Sequence, residues 1–292
     1  MAIGPHKSHL RDALQQRAAL LPLAHFLACI RSSVRYTVHA FTLAKLPMLP
    51  EIAPEELAAA VYDLATQLLA EAGILGPPVD AFQLARALGI TVALDGVQAG
   101  RARFVRLARG TRTLVPTILL RPDPRAERRH WAVAHEVGEH AVWRLFAALQ
   151  VDPREATPNA REQAANWLAG HLLVPQAWLA VDGPACDWDL LELKARYRTV
   201  SHELIARRML DFPAPVVVTI FDQRQLTFRA GNRGSRRPPL SSIETRCWQE
   251  AHRSDRPAQC AEENRRVRAW PIHEAHWKRE ILRTDLEESW PD

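Results

Sequence analysis

"AHEVGEHAVW", residues 134–143, is the stretch on which the reading of this chain turns. It opens like the zinc-peptidase signature H-E-x-x-H, in which two histidines four residues apart share one helix face and the intervening Glu acts on metal-bound water. Here the fifth position is Glu139, and the second histidine comes one place later, at His140. Three readings compete. The forward reading makes His135 and Glu139 metal ligands and Glu136 the general base. The inverted reading makes Glu136 and His140 ligands and Glu139 the base. The third is a helix with no metal.

Helical geometry separates the first two. Each residue turns by roughly 100°, so Trp131, Gly138, Val142 and Leu149 fall within about 60° of one another on one side of His135. Ala134, Ala141 and Leu145 extend this apolar stripe. His135 lies at its edge, and Glu139 about 40° further on the same flank. His140 lies about 140° round, in company with Arg144, so an inverted site would face away from the stripe. Metal ligands must converge on one point partly walled from water, which favours the forward pair. A carboxylate in place of an imidazole is chemically acceptable to zinc, and its negative charge and hardness also suit manganese or iron.

A zincin needs one more protein ligand, often a carboxylate on the next helix. Glu162 is the candidate, in "NAREQAANWLAGHLLVP". Ala165, Asn166, Ala169 and Leu173 share its face, and small residues there would let the two helices approach closely. A structural role competes: Asn159 and Glu162 have capping-box spacing, which would make Glu162 part of the helix start.

Outward from this core, Pro54 and the spacing of Leu57, Val61, Leu64 and Leu68 predict a helix. Gly73 and Gly76-Pro77-Pro78 stop it. "VDAFQLARALG" predicts a short helix ending at Gly89, and "ITVAL", "RARFVRL" and "TLVPTILL" three strands. The helix carrying the motif runs on to Asp152-Pro153, and the Glu162 helix stops at Pro175. Two short helices follow near residues 190–197 and 202–210, the second capped by Ser201. They read as packed helices rather than a DNA-reading pair, since no basic face concentrates there. "VVVTIF" and "QLTFRA" predict a hairpin. Beyond Asn232 the chain is rich in Arg, Pro and Trp. There, Trp248, Trp270, Trp277 and Trp290 are expected as core aromatics of a small unit. "HEAH", His273 to His276, has the wrong spacing for a metal helix and reads as a strand or turn.

The chain has 292 residues, 47% hydrophobic and 24% charged, which supports a full globular core. A pI near 9.3 first suggests nucleic acid. Residues 1–48, however, hold six of the 38 Lys and Arg but one of the 33 Asp and Glu, leaving 32 of each sign in the remainder. No direct nucleic-acid binding is therefore expected. The nine arginines of residues 101–129 read as outward positions of half-buried strands. Four scattered cysteines, Cys29, Cys186, Cys247 and Cys260, form no metal or disulfide pattern and fit a reducing cytoplasm. No apolar run approaches the roughly 18 residues of a membrane span. "AALLPLAHFLACI" is broken by Pro22 and His25 and is not read as a secretion signal. Residues 1–48 are expected to be a flexible extension or to follow a misassigned start.

Together, "RRHWAVAHEVGEH" and "EQAANWLAGHLLVP" resemble the ImmA/IrrE family of metallopeptidases, through Glu162, Ala165, Asn166, Ala169, Leu172, Leu173 and Pro175 in the second stretch. "PPVDAFQLARALGITV" and "LKARYRTVSHELIARRML" extend the resemblance over about residues 55–212. The resemblance implies an α+β zincin-like core at residues 49–212, helices around a small sheet, with a β-containing accessory region at residues 213–292. It implies His135 and Glu162 as zinc ligands and Glu136 as base, while Glu139 rests on helix geometry alone, since the family has a histidine there. The implied activity is zinc-dependent cleavage, in the cytoplasm, of a helix-turn-helix transcriptional repressor in a stress or mobile-element response. The alternative is a scaffold of the same fold that has lost catalysis and regulates by binding protein.

Overall fold

The computed structural model describes residues 52–109, 113–233 and 239–286. The expectations for residues 1–48 and Trp290 lie outside these. Helix α1 (Pro54–Glu71) starts with proline in its first turn and buries Leu57, Val61, Leu64 and Leu68, as their spacing predicts. Gly73, at φ +66°, turns the chain out of it. The Asp80 side chain accepts the Phe82 and Gln83 amides and so starts α2 (Ala81–Ala87). Strands β1 (Thr91–Leu94), β2 (Ala102–Arg109) and β3 (Thr113–Leu120) form a sheet of order β1-β3-β2. β1 runs parallel to β3, and β2 antiparallel to it, which leaves β2 at an edge.

Helix α3 (Ala126–Ala148) carries the motif, and α4 (Pro158–Leu173) carries Glu162. Pro175 does end α4, but another helix, α5 (Gln176–Ala185), begins at once. "VDGP" within it looks like a break in sequence. Gly183 is required there by packing, since a Cβ would lie 2.5 Å from the Trp188 ring. Helices α6 (Leu190–Arg196) and α7 (His202–Arg208) are capped by Asp189 and Ser201. Both are packed into the core through Leu190, Leu193, Ile205 and Ala206, which are buried.

The expected hairpin is β4 (Val216–Asp222) and β5 (Gln225–Gly231). It turns through Gln223 and Arg224, both at positive φ, without the Asn-Gly or Asp-Gly that usually marks such a turn. The chain after Asn232 contributes more than a loose unit. Helix α8 (Ser242–Ser254) is followed by β6 (Ala258–Glu262), β7 (Arg265–Glu274) and β8 (Trp277–Leu286). β8 inserts beside β4, giving an antiparallel sheet of order β5-β4-β8-β7-β6.

One face of this sheet is continuous with the helical core through Val216, Val218, Ile220, Trp270 and Ile281. The other face, with Phe221, Val267, Ala269 and Leu282, packs under Ile243, Cys247 and Ala251 of α8. Burial on both faces explains why β4, apart from Thr219, reads as an apolar run rather than an alternation. Of the other tryptophans, Trp248 stacks on Phe221, whereas Trp277 is exposed and is no core residue. No helix of the described residues is long and apolar enough to cross a membrane.

Candidate metal centre

Helix α3 is covered on two sides, so two of its flanks are buried rather than one. On one flank it meets α4. Gly138 makes this approach close, since a Cβ there would lie 2.8 Å from the backbone oxygen of Ala165. The motif's glycine and the small face of α4 thus act together. They bring Glu162 Oε2 to 3.5 Å from His135 Nε2.

His135, Glu139 and Glu162 each offer one ligand atom within 4.8 Å of the others. His135 and Glu139, four residues apart, share the flank that faces α4. Glu162 is held by Asn166, whose Nδ2 donates to its Oε1 at 3.1 Å. The capping role considered for Glu162 is not what the structure has. Helix α4 begins at Pro158, and the Thr157 hydroxyl accepts the Ala160 amide. Glu162 lies a turn further on.

The other flank meets β2. Glu136 and His140, also four apart, face it together, and a single residue of β2 engages both. The Phe104 amide donates to the Glu136 carboxylate, and the Phe104 ring stacks on the His140 ring at 4.7 Å between centroids. The inverted reading was expected to face away from the apolar stripe. Instead its residues face the sheet through Phe104. Burial lowers the pKa of His140, and nearby Arg106 lowers it further. Arg144, expected beside it on an open face, pairs with Glu71 of α1 at 2.7 and 3.0 Å.

Glu136 is buried, and this burial raises its carboxyl pKa above the usual range. His135 and the Phe104 amide oppose that shift, while Glu139 and Glu162 add to it. The donor set fits a divalent cation in two respects. One imidazole and two carboxylates converge, and the negative charges gathered there are the kind a cation offsets. His135 Nδ1 is buried with no hydrogen-bond partner, so its ring is oriented by packing rather than by an outer carboxylate.

A cleft of about 870 Å³ adjoins this site, sharing Asn166 and Trp131, one turn before His135. Trp167, Arg128 and Glu203 also line it. His171 lies away from Glu162, as expected, against the Arg208 guanidinium at 2.8 Å. Sequence reasoning missed the Phe104 amide, because a backbone donor has no letter. It placed Asn166 on the Glu162 face without assigning it a partner, although the four-residue spacing between them is a legible signal.

Residues 85–210 match the family model of the IrrE N-terminal-like domain, peptidase family M78. Over those residues the chain is similar to this family. The match spans the first sheet, both site helices and α5 to α7, the region in which the geometry above is built. Among solved structures, a Mycobacterium tuberculosis transcriptional regulator is similar, with a TM-score of 0.57 at 16% identity, covering 77% of this chain and 75% of that one. At that identity the likeness concerns the fold, and its coverage runs beyond the residues of the family match. No curated protein matches the sequence.

Proposed function

We propose that the chain is a metal-dependent endopeptidase in which His135, Glu139 and Glu162 hold the ion and Glu136 is the general base. The observation that carries this reading is the convergence of those three side chains at the α3–α4 contact, with Glu136 buried one residue along. A bound divalent ion, zinc in the first instance, supplies Lewis-acid polarisation of a carbonyl and acidifies water. The chain's own groups do the rest. The Glu136 carboxylate accepts from the Phe104 amide, and burial raises its pKa, which strengthens it as a proton acceptor. β2 is an edge strand beside the site, so an extended peptide can be held alongside it by main-chain pairing. The adjoining cleft offers tryptophan and both signs of charge to substrate side chains.

The substrate class we infer is a helix-turn-helix transcriptional repressor, cut in the cytoplasm during a stress or mobile-element response. The family resemblance supports this, and the similar Mycobacterium protein, itself called a transcriptional regulator, agrees with a link to transcription. One observation favours a second reading, a non-cleaving regulator on the same scaffold: Glu139 stands where the motif has histidine. Glu136→Gln separates the two. On the peptidase reading the variant keeps its metal and loses at least about a hundredfold in turnover of a repressor substrate, the scale of a general base. No turnover in the wild type despite bound metal favours the regulator, and equal, measurable turnover in both proteins would remove Glu136 as the base.

A further inference from the structure

The C-terminal sheet holds a second convergence of ligand groups, remote in sequence from the first. His252 lies in the last turn of α8, His273 near the end of β7, and Glu280 on β8. Both imidazoles aim a nitrogen at one oxygen. His252 Nδ1 lies 2.8 Å from Glu280 Oε1, and His273 Nε2 lies 2.6 Å from the same atom. The three side chains are 13%, 8% and 0% exposed, so they meet beneath the surface.

The outer atoms of two of them are already engaged. The Trp248 indole N–H donates to Glu280 Oε2 at 2.9 Å, and Asp255 Oδ1 lies 2.6 Å from His273 Nδ1. Asp255 is the left-handed cap residue of α8, which fixes where its carboxylate stands. A carboxylate behind a ligating imidazole orients the ring and raises its basicity, an arrangement common in metal sites. What remains inward are two imidazole nitrogens and one carboxylate oxygen, all within 4.8 Å of one another.

We propose that His252, His273 and Glu280 form a second divalent-metal site, of the zinc class, that clamps the end of α8 to β7 and β8. Two imidazoles and a carboxylate are a zinc donor set, with the fourth position left to water. Around a tetrahedral ion with bonds near 2 Å, ligand atoms stand about 3.3 Å apart. The present contacts therefore open by roughly half an ångström on binding. The Arg224 guanidinium, which donates to His252 Nε2 at 3.1 Å, turns away as that nitrogen takes up the proton. Arg224 lies on the exposed β4–β5 turn, where such a movement is unhindered. The "HEAH" stretch thus contributes a single ligand. His276 is exposed and takes no part.

The test uses the full chain titrated with Zn2+, reading the imidazole nitrogens by long-range 1H–15N NMR. His252 Nδ1 and His273 Nε2 should move to metal-bound positions together, saturating at one ion for the pair. By elemental mass spectrometry, His273→Ala should lose one equivalent of zinc relative to wild type, and His276→Ala none. In Glu162→Ala the His252 and His273 signals should still respond, so the failure of either metal site is seen apart from the other. Unmoved His252 and His273 signals in wild type at excess zinc would overturn the proposal whether or not His273→Ala folds. So would equal zinc content in folded His273→Ala and wild type.

Discussion

At position 139 the chain has Glu where the H-E-x-x-H signature has His, and its carboxylate still meets His135 and Glu162. Residues four apart on a helix share a flank, and α3 presents two such pairs to different neighbours. His135 and Glu139 face Glu162, while Glu136 and His140 face Phe104. The spacing of the letters shows that the two pairs diverge, whereas the neighbours of the second pair, a backbone amide and a ring on β2, do not show in the sequence. Glu162 was open between a ligand and a cap, and the structure gives the cap to Thr157. Two variants express that division. Thr157→Ala should cost about 1 kcal/mol of stability in denaturant melts and leave metal content unchanged. With both proteins melted metal-free, Glu162→Ala should cost less than about 0.5 kcal/mol, as an exposed surface change, and its metal content should fall by the bound ion. A stability loss from Glu162→Ala as large as that from Thr157→Ala would return Glu162 to a structural role.

At the level of elements, the site depends on how near α4 comes to α3, and Gly138 sets that distance. Gly138→Ala places a Cβ against the Ala165 backbone, which cannot move as a flexible side chain would. The expected loss is about 1–3 kcal/mol from overpacking, together with weaker metal binding as Glu162 is pushed from His135. Normal stability with normal metal affinity would show that the helices do not need this approach. Elements with a clean period were legible: α1, α3, α4 and the β4–β5 pair follow from apolar spacing. Those that escaped did so for identifiable reasons. α5 contains Gly183 and Pro184, which read as a stop, yet Gly183 is there to admit Trp188. β7 and β8 bury charges, namely Glu280, Arg268 and Arg283, so their inward positions do not look apolar. Arg268 and Arg283 are accounted for by Asp285 at 3.2 and 2.7 Å, a compensation visible only in three dimensions.

Across the whole molecule, the helical core and the C-terminal sheet share apolar contacts, and several ionisable groups sit between them. His202 is the clearest. Burial first, then Lys194, lowers its pKa to about 4, against an ordinary value of 6.5. A depressed histidine stabilises the fold above pH 6.5, where neither state is charged, and that contribution is lost as the pH falls toward 4. The unfolded chain takes up the proton first. Carboxylates held low by partners, such as Glu244 and Asp222, act further into acid, below their ordinary values of 4.5 and 3.8. Between about pH 6.5 and 4.5 the melting temperature should therefore fall in wild type and fall less steeply in His202→Gln. Parallel curves for the two proteins would remove His202 as the cause.

The proposed function stands or falls on a metal held at the α3–α4 contact by His135, Glu139 and Glu162. Elemental mass spectrometry of the whole protein, per mole of chain, tests it most directly in three forms: wild type, Glu139→Ala and His140→Ala. Glu139→Ala is expected to lose one equivalent relative to wild type, and His140→Ala none. An ion retained in Glu139→Ala and lost in His140→Ala, or a wild type with no ion to lose at this site, would contradict it.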